Sequence, residues 1–124
     1  MDNSVKIFME AAGQMVQTTP GFTEENNDQA FLYKELVREE FSELDDAFQE
    51  KDIIGVADAC ADLVWVIQGL AHTLGINFDA VWHQISQSNM SKVPADGKIL
   101  RRADGKILKP DTYFPPNIPK ALGL

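Results

Sequence analysis

The segment from Ile53 to Leu74 is almost entirely apolar, yet it carries Asp58 and Asp62 and no lysine or arginine. Its length and hydrophobicity predict a buried helix, which constrains the fold more than any other stretch of the chain. Because a buried carboxylate without a partner is costly, the two aspartates predict a cation beside them. A spacing of four residues puts both on one helix face, where they can share a divalent metal ion. The same carboxylates would be costly in lipid, so we expect no membrane association.

Length and charge narrow the class of protein. A chain of 124 residues predicts one domain. The net charge of −8 argues against a surface that binds nucleic-acid polymers through their phosphates. The charge is uneven, because ten acids and two bases occupy residues 35–62, whereas seven bases and three acids occupy residues 92–124. With no signal peptide at the start and a single cysteine, the chain is expected to be cytoplasmic.

Apolar periodicity predicts four helices, over residues 4–16, 29–51, 53–74 and 78–89. Short connections between them favour an all-α bundle of four to five helices. We expect residues 1–92 to form a helical catalytic core. Residues 93–124 are expected to form a basic, extended tail that packs on the core or on a neighbouring subunit. In this tail, residues 95–100 recur as residues 103–108, and the second Asp-Gly pair predicts a short hairpin.

The second predicted helix turns two glutamates toward its apolar side. On a helical wheel with Val37 at zero, Glu40 lies at about 300° and Glu43 at about 240°, whereas Glu39, at about 200°, points mostly away. Neither Glu40 nor Glu43 has a basic residue three or four positions away, so local ion pairs do not explain them. They are predicted to contact something off the helix.

The third helix offers a matching face. Asp58 and Asp62 share this face with Gly55 and Gly69, which would let another helix or a ligand come close. If the second and third helices pack antiparallel, their four carboxylates can meet. Oxygen ligands of this kind suit a hard cation, with Mg²⁺ as first choice and Mn²⁺ as second.

The C-terminal part of the chain carries candidate anion contacts. Asn89 and Lys92 close the fourth helix and place an amide and an ammonium group in a small space. Five bases follow in the tail and either bind a phosphate chain or solvate an exposed hairpin, namely Lys98, Arg101, Arg102, Lys106 and Lys109.

These motifs resemble a known superfamily. The pattern Glu39-Glu40-x-x-Glu43, the later segment Asp62-Leu-Val-Trp-Val, and the segment Ser88-Asn-Met-Ser-Lys92 resemble the MazG-like all-α nucleoside triphosphate pyrophosphohydrolases. That superfamily also contains the dimeric dUTPases and the phosphoribosyl-ATP pyrophosphohydrolases. The resemblance covers about residues 5–92 and extends through the Asp-Gly-Lys and Tyr-Phe-Pro-Pro segments of the tail.

The resemblance implies a helical homodimer or homotetramer in which Glu40, Glu43 and Asp62 hold Mg²⁺. The family's second motif has a further acid where this chain has Ala59, and we expect Asp58 to substitute for it. Asn89 and Lys92 match the nucleotide-contacting asparagine and lysine of the family.

We therefore expect Mg²⁺-dependent hydrolysis of a nucleoside triphosphate between its α and β phosphates, which releases a monophosphate and pyrophosphate. Glu39 or Glu43 would orient or deprotonate the water, and Lys92 and the tail's basic residues would offset charge on the leaving group. An alternative substrate for the same chemistry is phosphoribosyl-ATP. A non-catalytic alternative is an acidic helical interaction module that turns over no nucleotide.

Overall fold

The computed structural model describes all residues from Met1 to Leu124 and is built from helices. Its five α-helices are α1 (Ser4–Ala11), α2 (Asn27–Gln49), α3 (Ile53–Thr73), α4 (Phe78–Met90) and α5 (Ile118–Ala121). The predicted all-α class is confirmed. The chain divides into two compact units, with α1 to α3 in residues 1–77 and α4, the tail and α5 in residues 78–124.

The first helix is shorter than its apolar pattern predicts. It ends at Ala11 rather than near Val16, because Gly13 adopts a left-handed backbone conformation with φ of 73°. Val5 and Met9 are nevertheless buried, and Val16 still packs against the core from the following loop. Apolar periodicity therefore placed the end of the helix too late.

The connector between α1 and α2 is anchored by a buried asparagine. Asn26 is fully buried, and its side-chain amide donates to the carbonyl of Gly21 at 2.9 Å and to Oε1 of Gln17 at 3.0 Å. Its Oδ1 accepts a hydrogen bond from the amide of Thr23 at 3.0 Å. Because each polar atom of the Asn26 side chain is hydrogen-bonded, its burial does not carry the free-energy cost of an unpaired polar group. The connector is therefore ordered by an internal side chain.

A tight turn joins α2 to α3 and sets the two helices antiparallel. Lys51 takes a left-handed conformation with φ of 56°. Asp52 then caps α3, because its carboxylate accepts a hydrogen bond from the amide of Gly55 at 3.1 Å. A cap of this type stabilises a helix by about 1 kcal/mol. The short connection therefore produces the antiparallel pair that the candidate site requires.

The close approach of α2 to α3 occurs at the two glycines predicted to allow it. A Cβ on Gly69 would lie 2.5 Å from Cδ1 of Tyr33, well inside van der Waals contact. A Cβ on Gly55 would lie 3.0 Å from Cβ of Ala47. The prediction that these glycines admit a close neighbour is confirmed, and the neighbour is α2. Tyr33 is buried in the core of this unit with Val5, Met9 and Val66.

The prediction that α3 is buried is wrong for the single chain. Ile53 and Ile54 are 77% and 80% exposed, and both Asp58 and Asp62 are exposed. The physical reason is that α1 and α2 cover only part of its circumference.

By length and mean hydropathy α3 would also suit a membrane span, although the core helices of soluble proteins share this composition. The expectation of no membrane association stays a prediction.

In the second unit the tail returns along α4. Ser88 is buried and its hydroxyl donates to the carbonyl of Phe114 at 2.9 Å, while the amide of Phe114 donates to Oγ of Ser91 at 3.0 Å. The predicted hairpin is present as a single antiparallel bridge between Arg101 and Ile107. The Tyr-Phe-Pro-Pro segment is therefore held at the C-terminal end of α4 by hydrogen bonds between its main chain and two serine hydroxyl groups.

Candidate metal centre and active site

Three carboxylates converge where α2 lies against α3. Glu40 and Glu43 come from α2 and Asp62 comes from α3, and each contributes one oxygen to a group in which all oxygens lie within 4.8 Å of one another. The spacing of three residues between the glutamates places them on adjacent turns of one helix face. The antiparallel packing then brings the aspartate of α3 to the same point.

Glu40 lies deepest of the three. Its residue is half-buried, and its Oε2 is shielded from solvent without any hydrogen-bond partner. An unpaired buried carboxylate oxygen is costly, so it marks either a strained position or the place of an absent partner. Burial raises the pKa of Glu40, and the neighbouring charges of Glu43 and Asp62 raise it further.

This donor set fits a divalent metal ion. Mg²⁺ prefers carboxylate oxygens and normally keeps several waters, so two or three protein carboxylates suffice for it. A cation at this point would satisfy the unpaired Oε2 of Glu40 and offset the repulsion among the three acids. The set contains no cysteine or histidine, which is unlike the usual zinc site.

Two other predicted acids lie outside this group. Asp58 is exposed and is not among the three converging carboxylates, although it stands one turn before Asp62. Glu39 is also exposed, as its wheel position predicts. It still contributes a weak repulsion that raises the pKa of Glu40. Ala59, at the position where the resemblance expects an acid, is 2% exposed.

The predicted nucleotide-contacting pair is joined in the second unit. Nζ of Lys92 donates to Oδ1 of Asn89 at 3.0 Å. Asn89 is exposed and Lys92 is half-buried, so both are accessible to solvent. Their hydrogen bond orients the asparagine so that its amide nitrogen remains available as a donor.

The predicted basic residues of the tail, Lys98, Arg101 and Lys106, are all exposed around the hairpin. Each has its positive charge free of an ion pair within 4 Å. Arg102, which was also a predicted phosphate contact, instead donates to Oδ2 of Asp104 at 2.6 Å. Of the hairpin's bases, Arg102 is therefore the one whose charge is offset locally.

Sequence reasoning did not single out Tyr33, which packs against Gly69 and whose hydroxyl donates to Oε1 of Gln14. The signal that would have found it is its spacing. Tyr33 precedes Glu40 by seven residues, which is two helical turns, and therefore lies on the same face of α2.

Comparison with known proteins agrees with this geometry. A profile of the phosphoribosyl-ATP pyrophosphohydrolase family matches residues 5–89, which include all of α2 and α3. An uncharacterized protein of Acanthamoeba polyphaga mimivirus is 38% identical over 56 residues. The matched stretch covers 45% of this chain and only 22% of the viral protein. The chain belongs to the phosphoribosyl-ATP pyrophosphohydrolase family, within the MazG-like all-α superfamily of hydrolases that act on acid anhydrides.

Proposed function

We propose that this protein is a Mg²⁺-dependent nucleotide pyrophosphohydrolase that cleaves a nucleoside triphosphate between its α and β phosphates. The products are a nucleoside or deoxynucleoside monophosphate and pyrophosphate. The observation that carries the proposal is the convergence of Glu40, Glu43 and Asp62, with Oε2 of Glu40 buried and unpaired. Family membership supports the reaction class, because it names a pyrophosphohydrolase.

Glu40, Glu43 and Asp62 would hold the ion, with Mn²⁺ as a substitute. When bound, Mg²⁺ would neutralise negative charge on the phosphate oxygens and lower the pKa of a coordinated water. The negative charge of the carboxylates would keep a divalent cation bound in competition with hydration by solvent. Asp58 is proposed as an additional, weaker ligand because it is exposed one turn before Asp62.

Glu39 and Glu43 are the proposed general bases. A carboxylate beside the site can accept a hydrogen bond from the attacking water and take its proton as the new bond to phosphorus forms. Glu43 belongs to the converging group, whereas Glu39 lies at its edge. Asn89 and Lys92 are proposed to bind the nucleotide, and Lys98, Arg101 and Lys106 to offset charge on the pyrophosphate leaving group.

Homo-oligomers are also proposed. Large apolar side chains of α2 and α3 are exposed in the single chain, including Phe41 at 60%, Phe48 at 71% and Ile54 at 80%. An apolar face of this kind is typical of an interface between copies. Light scattering should therefore give the mass of a dimer or a tetramer, and a monomer at micromolar concentration would contradict the proposal. A cytoplasmic location is part of the same proposal.

Phosphoribosyl-ATP is the second candidate substrate, because the family profile that matches is named for its hydrolysis. Both candidates require the same bond cleavage, so they differ in the nucleoside pocket and not in the metal site. Pyrophosphate release should be compared across the common NTPs, the dNTPs and phosphoribosyl-ATP, each with Mg²⁺ and with Mn²⁺. The substrate with the highest kcat/KM decides between them.

Two neutralising substitutions test the reaction class. Glu40→Gln and Asp62→Asn each remove one carboxylate from the group, and each should reduce pyrophosphate release by at least two orders of magnitude while circular dichroism stays helical. Asp45→Asn is the matched control, since it removes one negative charge from an exposed position of α2 outside the group. Full activity in both test variants would contradict the proposed metal site. No turnover by the wild type with any substrate and metal would leave the interaction module as the better explanation.

A further inference from the structure

Three contacts between α2 and α3 are spaced at equal intervals. Tyr33 meets Gly69, Glu40 meets Asp62, and Ala47 meets Gly55. Along α2 the members of these pairs are seven residues apart, and along α3 they are also seven apart in the opposite direction. Seven residues are two turns, or roughly 10 Å along each helix. The two glycine contacts therefore lie symmetrically on either side of the carboxylate group.

The contact at Gly69 is closer than any other residue would permit, and the contact at Gly55 is tight. A Cβ on Gly69 would lie 2.5 Å from Cδ1 and 2.7 Å from Cζ of Tyr33. A Cβ on Gly55 would lie 2.7 Å from Oδ2 of Asp52 and 3.0 Å from Cβ of Ala47. Even alanine would push the helices apart or move these neighbours.

The neighbour of Gly69 is not free to move. Tyr33 is 3% exposed and packs with Val5, Met9 and Val66, and its hydroxyl is hydrogen-bonded to Gln14. An added methyl group at Gly69 would therefore displace α3 and not the ring. At Gly55 the nearest atom is the end of an exposed aspartate side chain, which can rotate away. The constraint is stricter at Gly69 than at Gly55.

We propose that Gly69 and Gly55 are positioning residues for the carboxylate group, because they set the distance between α2 and α3 at which Glu40 and Asp62 can share one cation. The inference rests on the metal site proposed above and adds the residues that fix its width. Carboxylate ligands from two helices meet only when the backbones are held at the right separation. If the distance between α2 and α3 increases at Gly69, Asp62 moves away from both glutamates of α2.

The test measures metal affinity rather than turnover. Mn²⁺ binding to the full-length protein is followed by the loss of the free-ion electron paramagnetic resonance signal. Gly69→Ala should weaken Mn²⁺ binding by roughly tenfold, the size usual for residues that orient metal ligands. Gly55→Ala should weaken it less, because Asp52 can rotate away. A merely structural role for Gly69 predicts a lower free energy of unfolding in Gly69→Ala, because of the clash with Tyr33, but an unchanged Mn²⁺ affinity.

A compensating pair of substitutions distinguishes an effect of the contact between Gly69 and Tyr33 from general damage to the fold. Tyr33→Leu removes the ring edge that a methyl group would meet, and it should leave Mn²⁺ affinity near that of the wild type. Gly69→Ala combined with Tyr33→Leu should then recover the affinity lost in Gly69→Ala alone. If Gly69→Ala does not fold, Gly55→Ala with and without Ala47→Gly provides the same comparison at the other contact.

The outcomes distinguish this inference from the proposed function. Wild-type Mn²⁺ affinity in Gly69→Ala, or a double variant no better than Gly69→Ala, overturns the positioning role even if the enzyme is active. Tight Mn²⁺ binding that is lost in Gly69→Ala, in a protein that releases no pyrophosphate, supports the positioning role and overturns the proposed reaction. A wild type that binds no Mn²⁺ overturns both.

Discussion

Lys92 donates a hydrogen bond to Oδ1 of Asn89 at 3.0 Å, so the two residues proposed to bind the nucleotide orient each other before any ligand arrives. The pairing fixes which end of the asparagine amide faces outward. It also restrains a lysine side chain whose rotamer freedom would otherwise be lost on binding.

Removal of this lysine should weaken substrate binding. Lys92→Ala deletes a charged donor and leaves Asn89 without its partner, and a hydrogen bond that involves a charged group contributes about 1.5–3 kcal/mol. We expect KM for the nucleotide to rise about tenfold or more in steady-state kinetics. Asn89→Ala should raise KM less, because the ammonium charge remains. A Lys92→Ala enzyme with the wild-type KM would show that Lys92 does not contact substrate.

The stability of the metal-free protein should depend on pH through Glu40. Burial and the charges of Glu43 and Asp62 raise the pKa of Glu40 in the folded state, so the folded protein binds a proton that the unfolded chain has released. Stability is therefore complete below the ordinary glutamate pKa and decreases as the pH rises through the raised value. In EDTA, thermal melts of Glu40→Gln should show a weaker decrease over this range and a higher Tm at neutral pH than the wild type.

Added Mg²⁺ should make the wild type more stable than Glu40→Gln. A ligand that binds only the folded state at 100 times its Kd contributes about 2.7 kcal/mol, which the wild type should show as a Tm increase of several degrees. Glu40→Gln should show little increase. Equal Mg²⁺-dependent shifts in both proteins would place the ion elsewhere.

Asp58 should matter less than Asp62 for metal affinity. Asp62 belongs to the converging group, whereas Asp58 is exposed outside it. We expect Asp62→Asn to abolish measurable Mn²⁺ binding and Asp58→Asn to weaken it only severalfold in the same titration. If the two variants lose affinity equally, Asp58 is a full ligand; if Asp58→Asn binds as the wild type does, it is not a ligand.

The basic residues of the hairpin should act through long-range attraction. Because Lys98, Arg101 and Lys106 are exposed, each contributes at most about 1 kcal/mol, or up to about fivefold in KM. The effect of Arg101→Ala should disappear in high salt. Arg102→Ala combined with Asp104→Asn is the control, since it removes a pair of residues whose charges already offset each other. An unchanged KM in a variant that lacks all three free bases would show that they only solvate the hairpin.

The positions of the helices followed closely from sequence periodicity. The third and fourth helices end within one residue of their predicted limits, because Asp52 caps α3 and Gly75 turns out of it with φ of 69°. The first helix ends early because Gly13 adopts a left-handed conformation that apolar periodicity does not register. Caps and turns thus explain both the successes and the error.

The sequence predicted on which face of each helix the carboxylates lie. It did not predict which residues of α2 and α3 lie opposite each other along the helix axes. A helical wheel identified Glu40, Glu43 and Asp62 as facing one another, and the structure brings them together. It also placed Asp58 with them, since residues four apart share a face. Only the register of α2 against α3 decides which of the two aspartates lies opposite Glu40. That register depends on the contacts at Gly69 and Gly55, which join residues far apart in the sequence. A helical wheel does not describe such contacts.

If the exposed side of α3 is the interface of the proposed homo-oligomer, the stability of this protein depends on its concentration. Ile53 and Ile54 are largely exposed in the single chain, and in the proposed homo-oligomer a second molecule would bury this apolar surface. The free energy of unfolding of that oligomer would include an association term, so its melting temperature should rise with protein concentration. Dilution would then remove folded protein and activity together, and newly made chains would be most exposed to proteases before they meet a partner.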